Sequence, residues 1–153
     1  MPVSRATIED FVAQRKLAVV GVSRSGKRFG AGAYRELKAR GYQLYPVHPE
    51  AESLLGDRCF PSLAALPEPV DGALVIVPPA QSERVVDEAI AAGIRRVWLQ
   101  QGAESDAAIE RGQAAGISVV HHECILMFAG APKIGFPHSM HRFFRGLFGR
   151  LPK

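Results

Sequence analysis

Five short apolar runs, each parted from the next by helical spacing or a loop, restrict this 153-residue chain to a small set of folds. They read LAVVGV (17–22), YQLYPV (42–47), DGALVIV (71–77), RRVWLQ (95–100) and ISVV (117–120). The third is apolar almost without interruption, as in a parallel strand buried on both faces, and Pro78-Pro79 end it because proline cannot donate to a ladder. Apolar spacing predicts a helix from about Gly30 to Arg40 stopped by Gly41, another carrying Val85, Val86, Ala89 and Ile90 up to Gly93, and a third over 104–116. A short helix opens the chain, with Thr7 as its N-cap, Glu9 and Asp10 in its first turn, and Ile8, Phe11 and Val12 on one face. Residues 49–69 read as irregular apart from a helical turn at SLAAL, and no hairpin signal stands out.

Strands alternating with helices define an α/β fold: a three-layer, Rossmann-like, doubly wound parallel sheet of about five strands. Right-handed crossovers put helices on both faces. Ligands of such sheets bind beyond the carboxyl ends of the strands, near the switch in strand order. That rule draws residues 23–30, His48-Pro49, Pro78-Pro79, Gln100–Gly102 and 121–124 toward one crevice.

The stretch after the first run, GVSRSGKRFGAGAY, has the character of an anion cradle. Backbone N–H groups at a helix start point outward unpaired, the helix dipole favours negative charge there, and small residues allow close approach. Ser23 adds a hydroxyl, and Arg24, Lys27 and Arg28 add three cations with no acid between Asp10 and Glu36. A phosphate-bearing ligand follows.

Composition sets the outer limits. At 47% hydrophobic and 22% charged residues the chain reads as one soluble globular domain, 1–130, with an extension at 131–153. No apolar run approaches the 18 residues of a membrane span, and MPVSRATIEDF has no signal-peptide core. Two cysteines without CxxC spacing fit a reduced, cytoplasmic protein. The net charge of +4 comes from the tail: residues 1–123 carry 14 Lys/Arg against 15 Asp/Glu, and residues 124–153 carry five against none. A nearly neutral body does not suit a nucleic-acid partner.

Two phosphate-binding motifs fail in detail. A dinucleotide fingerprint needs GxGxxG and an acid after the second strand; here Gly21, Gly26, Gly30 and Gly32 are misspaced and His48 occupies the acid's place, although NADP could tolerate the basic loop. Residues 21–28 match GxxxxGK but put Arg28 where a P-loop needs its magnesium-binding Ser or Thr.

The order GVS…RFG, YPVHP, GDRCFPSLAALPEPVD, VIVPP, VWLQQG and the closing EC resembles the bacterial single-domain coenzyme A-binding proteins, related to the N-terminal domain of the succinyl-CoA synthetase α subunit. The resemblance covers about Leu17 to Cys124. It implies CoA or an acyl-CoA as ligand, with Gly21, Ser23, Phe29 and Gly30 around the pyrophosphate and Arg24, Lys27 and Arg28 pairing with phosphates. It further implies that His48, Pro49, Pro78 and Pro79 flank the adenosine and pantetheine, with Gln100 to Gly102 on the far side. His48 departs from the family's usual Asn. The implied role is a binding or sensor module without chemistry of its own; the alternatives are an NADP oxidoreductase or a component of an acyl-CoA ligase.

Some residues keep two readings. Gly21 and Gly30 also suit tight turns and helix packing. Cys124, at the exit of the fifth strand, is either a packed thiol, as Cys59 is, or a group able to form a mixed disulfide with CoA. His121 and His122 alternate across a strand, so no metal is assigned to them. Met140, Phe143, Phe144, Leu147 and Phe148 form one stripe beside Arg142, Arg145 and Arg150. Residues 137–153 therefore pack on the domain, on a second subunit or on an acyl-CoA enzyme, or else lie on a membrane surface.

Overall fold

The computed structural model describes residues 3–23 and 28–130, and the expectations for Arg24, Lys27 and the 131–153 extension lie outside them. Four helices, α1 (Arg5–Ala13), α2 (Phe29–Ala39), α3 (Pro79–Ala91) and α4 (Asp106–Ala114), alternate with strands β1 (Lys16–Val20), β2 (Gln43–Val47), β5 (Gly72–Val75), β6 (Arg96–Gln100) and β7 (Ser118–Glu123). These five strands make one parallel sheet in the order β2-β1-β5-β6-β7. The α/β, doubly wound expectation holds.

Successive residues of each strand face opposite sides, so the sheet feeds two cores. Leu17, Val19, Leu74, Trp98 and Val120 pack with Ile8 and Phe11 of α1 and Tyr34 and Leu37 of α2. Ala18, Val20, Ala73, Val75, Val97 and Leu99 pack with Val85, Val86 and Ala89 of α3 and Ala108 of α4. Trp98 anchors the first core, edge-on to Phe11 at 5.3 Å between ring centroids, with its Nε1–H donating to the Glu123 carbonyl at 3.0 Å.

The three crossover helices end alike. After α2, α3 and α4, Gly41, Gly93 and Gly116 take φ of +94°, +78° and +77°. The next N–H returns to a carbonyl five residues back: Tyr42 to Leu37, Ile94 to Ala89 and Ile117 to Gly112. This Schellman ending satisfies free carbonyls and turns the chain straight into a strand.

Three local expectations are corrected. The N-cap of α1 is Ser4, not Thr7: the Ser4 hydroxyl accepts from the Thr7 N–H at 3.2 Å, so Glu9 and Asp10 fall beyond the first turn. Segment 49–69 contains a small antiparallel hairpin, β3 (Ser53–Leu54) with β4 (Asp57–Arg58), turning through Leu55 and Gly56 at φ +52° and +85°. The fifth strand runs on past Val120 to Glu123 through a bulge, with Trp98 opposite Val120 but Gln100 opposite Glu123. His122 takes φ +61° there, and the Nδ1 atoms of His121 and His122 come within 2.7 Å, so strict alternation does not separate them. They share a hydrogen bond, and burial, the larger cause, together with His122 pushes the His121 pKa down.

Two polar clamps hold α2. Arg40, 3% exposed, donates from Nη1 to the Leu126 and Ala129 carbonyls at 3.1 and 2.5 Å and from Nε to Glu36 at 3.1 Å. Tyr34 Oη and Lys38 Nζ donate to Asp57 at 2.5 and 2.8 Å, tying the hairpin to α2. Replacing Arg40 by Met strands two buried carbonyls and is expected to lower stability by about 3 kcal/mol in urea unfolding. Burial works against Asp57 ionisation, but the bonds from Lys38 and Tyr34 outweigh it and hold the carboxyl below its ordinary range. A folded pKa below the unfolded one stabilises above about pH 4 and is lost as pH falls through the folded value. Asp57→Asn should therefore be less stable at pH 6 and lose less on acidification to pH 3, as read from urea midpoints.

Candidate ligand-binding site

β1 hydrogen-bonds to β2 on one side and β5 on the other, and its crossover leaves by α2 on one face while that of β5 leaves by α3 on the opposite face. The two connections part over the C-terminal edge of β1 and β5 and leave a cavity of about 720 Å³ there. Its walls are three strand exits. Val20 to Ser23 with Arg28, Phe29 and Gly30 form the first, Val47, His48 and Pro49 the second, and Ile76, Val77 and Pro78 with Gln81 and Arg84 the third. A smaller groove of about 430 Å³, between Leu63–Val70 and the end of α3, lies at the other edge of the sheet, and its one ionisable residue, Glu68, already pairs with Lys16 and Tyr45.

The turn after β1 requires glycine. Gly21 sits at φ +106°, and a Cβ there would lie 2.1 Å from the Ile76 carbonyl oxygen. Gly30 is less constrained, since a Cβ would meet its nearest neighbour at an ordinary 3.5 Å. The N-cap of α2 is Arg28, whose side chain makes no cap bond, and the first turn holds no acid. The positive end of this eleven-residue helix thus opens onto the cavity without a carboxylate to neutralise it. α3 also starts at the cavity without a side-chain cap, with Pro78 as N-cap and Pro79 in its first turn.

His48 has a defined job. Its Nδ1 accepts from the backbone N–H of Glu50 at 3.0 Å and of Ala51 at 3.2 Å, while the backbone N–H of His48 donates to the Phe60 carbonyl at 2.9 Å. An Asn side-chain oxygen closes a turn in the same way, so His48 does here the work of a turn-closing Asn. Two donors on Nδ1 place the ring proton on Nε2.

Of the residues expected at the site, Gly21, Ser23, Arg28, Phe29, Gly30, His48, Pro49 and Pro78 line the cavity. Pro79, Gln100, Gly102 and Cys124 do not. Pro79 turns into the first turn of α3. Gln100 is buried, and its Oε1 accepts from the Ile125 N–H at 3.0 Å, which fastens the turn after β7. Gly102, exposed at φ +98°, donates to the Glu104 carboxylate at 3.0 Å, farther along the same sheet edge. Cys124 is 2% exposed in the first core; burial pushes its thiol pKa up, against the Gln100 amide and the N–H groups of Leu126 and Met127. Sequence reasoning missed Gln81 and Arg84, which reach the cavity only because α3 turns that side toward it.

The layers, strand order and edge cavity are those of a Rossmann-like α/β protein built to take a ligand at a switch point. The sequence model of the family described as "CoA binding domain" matches residues 15–129, and the chain belongs to that family. It is 32% identical over 90 residues to an ADP-forming acetate–CoA ligase II of Archaeoglobus fulgidus, taking in 58% of this chain and 13% of the ligase. The chain thus spans a small part of the ligases it resembles, 18% in the case of a second one from the same organism. The uncharacterized protein YneT of Bacillus subtilis is 28% identical over 123 residues, 80% of this chain and 91% of that one. Among solved structures, a hypothetical protein from Pyrococcus horikoshii OT3 matches with a TM-score of 0.77 at 28% identity, covering 82% of this chain and 92% of that one.

Two outcomes follow from this geometry. His48→Asn should keep the turn and the melting temperature, whereas His48→Ala should cost about 1 kcal/mol by leaving two N–H groups without their acceptor. Both cysteines are free and buried with raised thiol pKa, so native protein at pH 8 should resist iodoacetamide, and mass spectrometry should find both labelled only after denaturation.

Proposed function

We propose that this chain binds coenzyme A, free or acylated, in the cavity over β1 and β5, and that it does so as a binding module without catalysis of its own. The observation that carries this reading is the start of α2. A glycine turn brings the N-terminus of α2, whose N-cap Arg28 spends no side-chain bond on it, to the cavity, and no carboxylate lines its described walls. The pyrophosphate of CoA fits that end, and Arg24 and Lys27, between Ser23 and Arg28 in the sequence, would add positive charge. His48-Pro49 and Pro78 then flank the adenosine and the start of the pantetheine, and the chain's other end runs along the sheet edge toward Gly102.

The described cavity residues also argue against chemistry. Ser23 is the one hydroxyl and His48 the one imidazole among them, but the Nδ1 lone pair of His48 is engaged by two N–H groups and its other nitrogen carries the proton. That imidazole cannot take a proton from a nucleophile, so a Ser–His pair has no base. The family's occurrence within acetate–CoA ligases supports a second role, in which the domain lends its ligand to a separate ligase chain. Among the described residues no helix is long and apolar enough to cross a membrane, and two free cysteines suit a reducing compartment.

Calorimetry with CoA, acetyl-CoA, NADPH and ATP tests the reading. CoA and acetyl-CoA are expected to bind, and Arg28→Ala to weaken them about tenfold or more through loss of one charge-assisted contact. Binding of NADPH alone would replace the CoA reading with a dinucleotide one.

A further inference from the structure

The third wall of the cavity holds a cation that the pyrophosphate does not account for. On α3, Ser82, Val85, Val86 and Ala89 face the sheet, and Glu83 and Asp87 reach Arg111 on α4. Gln81, Arg84 and Glu88 form a further polar stripe of this helix, and its first two members line the cavity. Arg84 stands five residues into α3, about 7.5 Å along the axis from its start, on the helix opposite the one whose N-terminus opens beside Arg28. The cavity therefore presents two separated positive centres, one at the start of α2 and one at Arg84, and no carboxylate among its described lining residues.

We propose that Arg84 recognises the phosphomonoester on the ligand's ribose, the 3′-phosphate in CoA, and so makes the site selective for CoA over its dephosphorylated form. The inference rests on the CoA reading and deepens it. A ligand with a pyrophosphate and a separate ribose phosphate matches two centres, while a plain adenosine diphosphate uses one. Arginine suits the task because its planar fork pairs with phosphate oxygens two at a time. In the structure Arg84 Nη1 meets Glu88 at 3.1 Å, an i,i+4 pair with side chains 64% and 36% exposed. Such a pair is weak in water and yields readily to a dianionic phosphate. Gln81, one turn earlier, offers an amide donor to the same group.

The test is calorimetry of the full chain with CoA and 3′-dephospho-CoA, with NADPH and NADH as a second pair. Wild type should prefer CoA over dephospho-CoA by about ten- to hundredfold, the range of a charge-assisted hydrogen bond. Arg84→Gln should weaken CoA until the two ligands differ by less than about threefold, and Arg84→Lys should restore part of the gap. Arg111→Gln, on the opposite side of α3, should leave both affinities as they were. A wild type that binds both CoA forms equally, or an Arg84→Gln variant that keeps the full preference, overturns the role of Arg84 and leaves the CoA reading standing. A wild type that binds NADPH and neither CoA form overturns both. Arg84 is largely exposed, so matching melting curves for the variants are expected and confirm that affinity, not folding, is being read.

Discussion

Everything in this molecule depends on β1 being hydrogen-bonded on both sides while the two crossovers beside it depart to opposite faces. A parallel sheet needs a crossover between neighbours, and right-handed crossovers cover one face when the order runs one way and the other when it reverses. The order β2-β1-β5 reverses at β1, so no helix lies over the junction of the strand ends. The cavity is what that reversal leaves, and the ends of α2 and α3 border it because each helix starts where a strand stops.

Stability and binding are placed at different ends of the same elements. The Schellman glycines, the Trp98–Phe11 contact and the Arg40 clamp sit away from the cavity and satisfy the backbone there with little recourse to ligand. At the cavity the N-cap residues, Arg28 and Pro78, make no side-chain cap bond, a choice that gives up some helix stability at the end suited to an anion. Gln100 and Cys124 are the exception, since they stand at the exits of β6 and β7 yet serve stability: their polar atoms close the turn that follows β7.

Much of this was legible in the order of residues. Short apolar runs parted by helical spacing located all five sheet strands, and Gly41, Gly93 and Gly116 marked the helix ends because few other residues accept φ near +80°. The small hairpin escaped because its turn uses Leu55, a residue that rarely takes positive φ, where Asn or Gly would have announced it. The bulge at His121-His122 is set by pairing with β6 and leaves no local mark. Ser4 and Thr7 are both good caps, and only their mutual geometry selects Ser4. Strand exits could be pooled into one crevice by rule, but how far each reaches depends on packing. That drew Gln100 and Cys124 inward and brought Arg84 to the rim.

The contact between Gly21 and Ile76 has a further bearing on how the crevice behaves. With the backbone after β1 pressed against the carbonyl after β5, two of the three lips are welded at their base, and the Ile76 N–H to Val20 bond of 2.7 Å seals the seam. The base of the crevice is thus held by backbone contacts that the fold itself makes. Backbone ordered there on folding need not be ordered again when a ligand arrives, which lowers the cost of association.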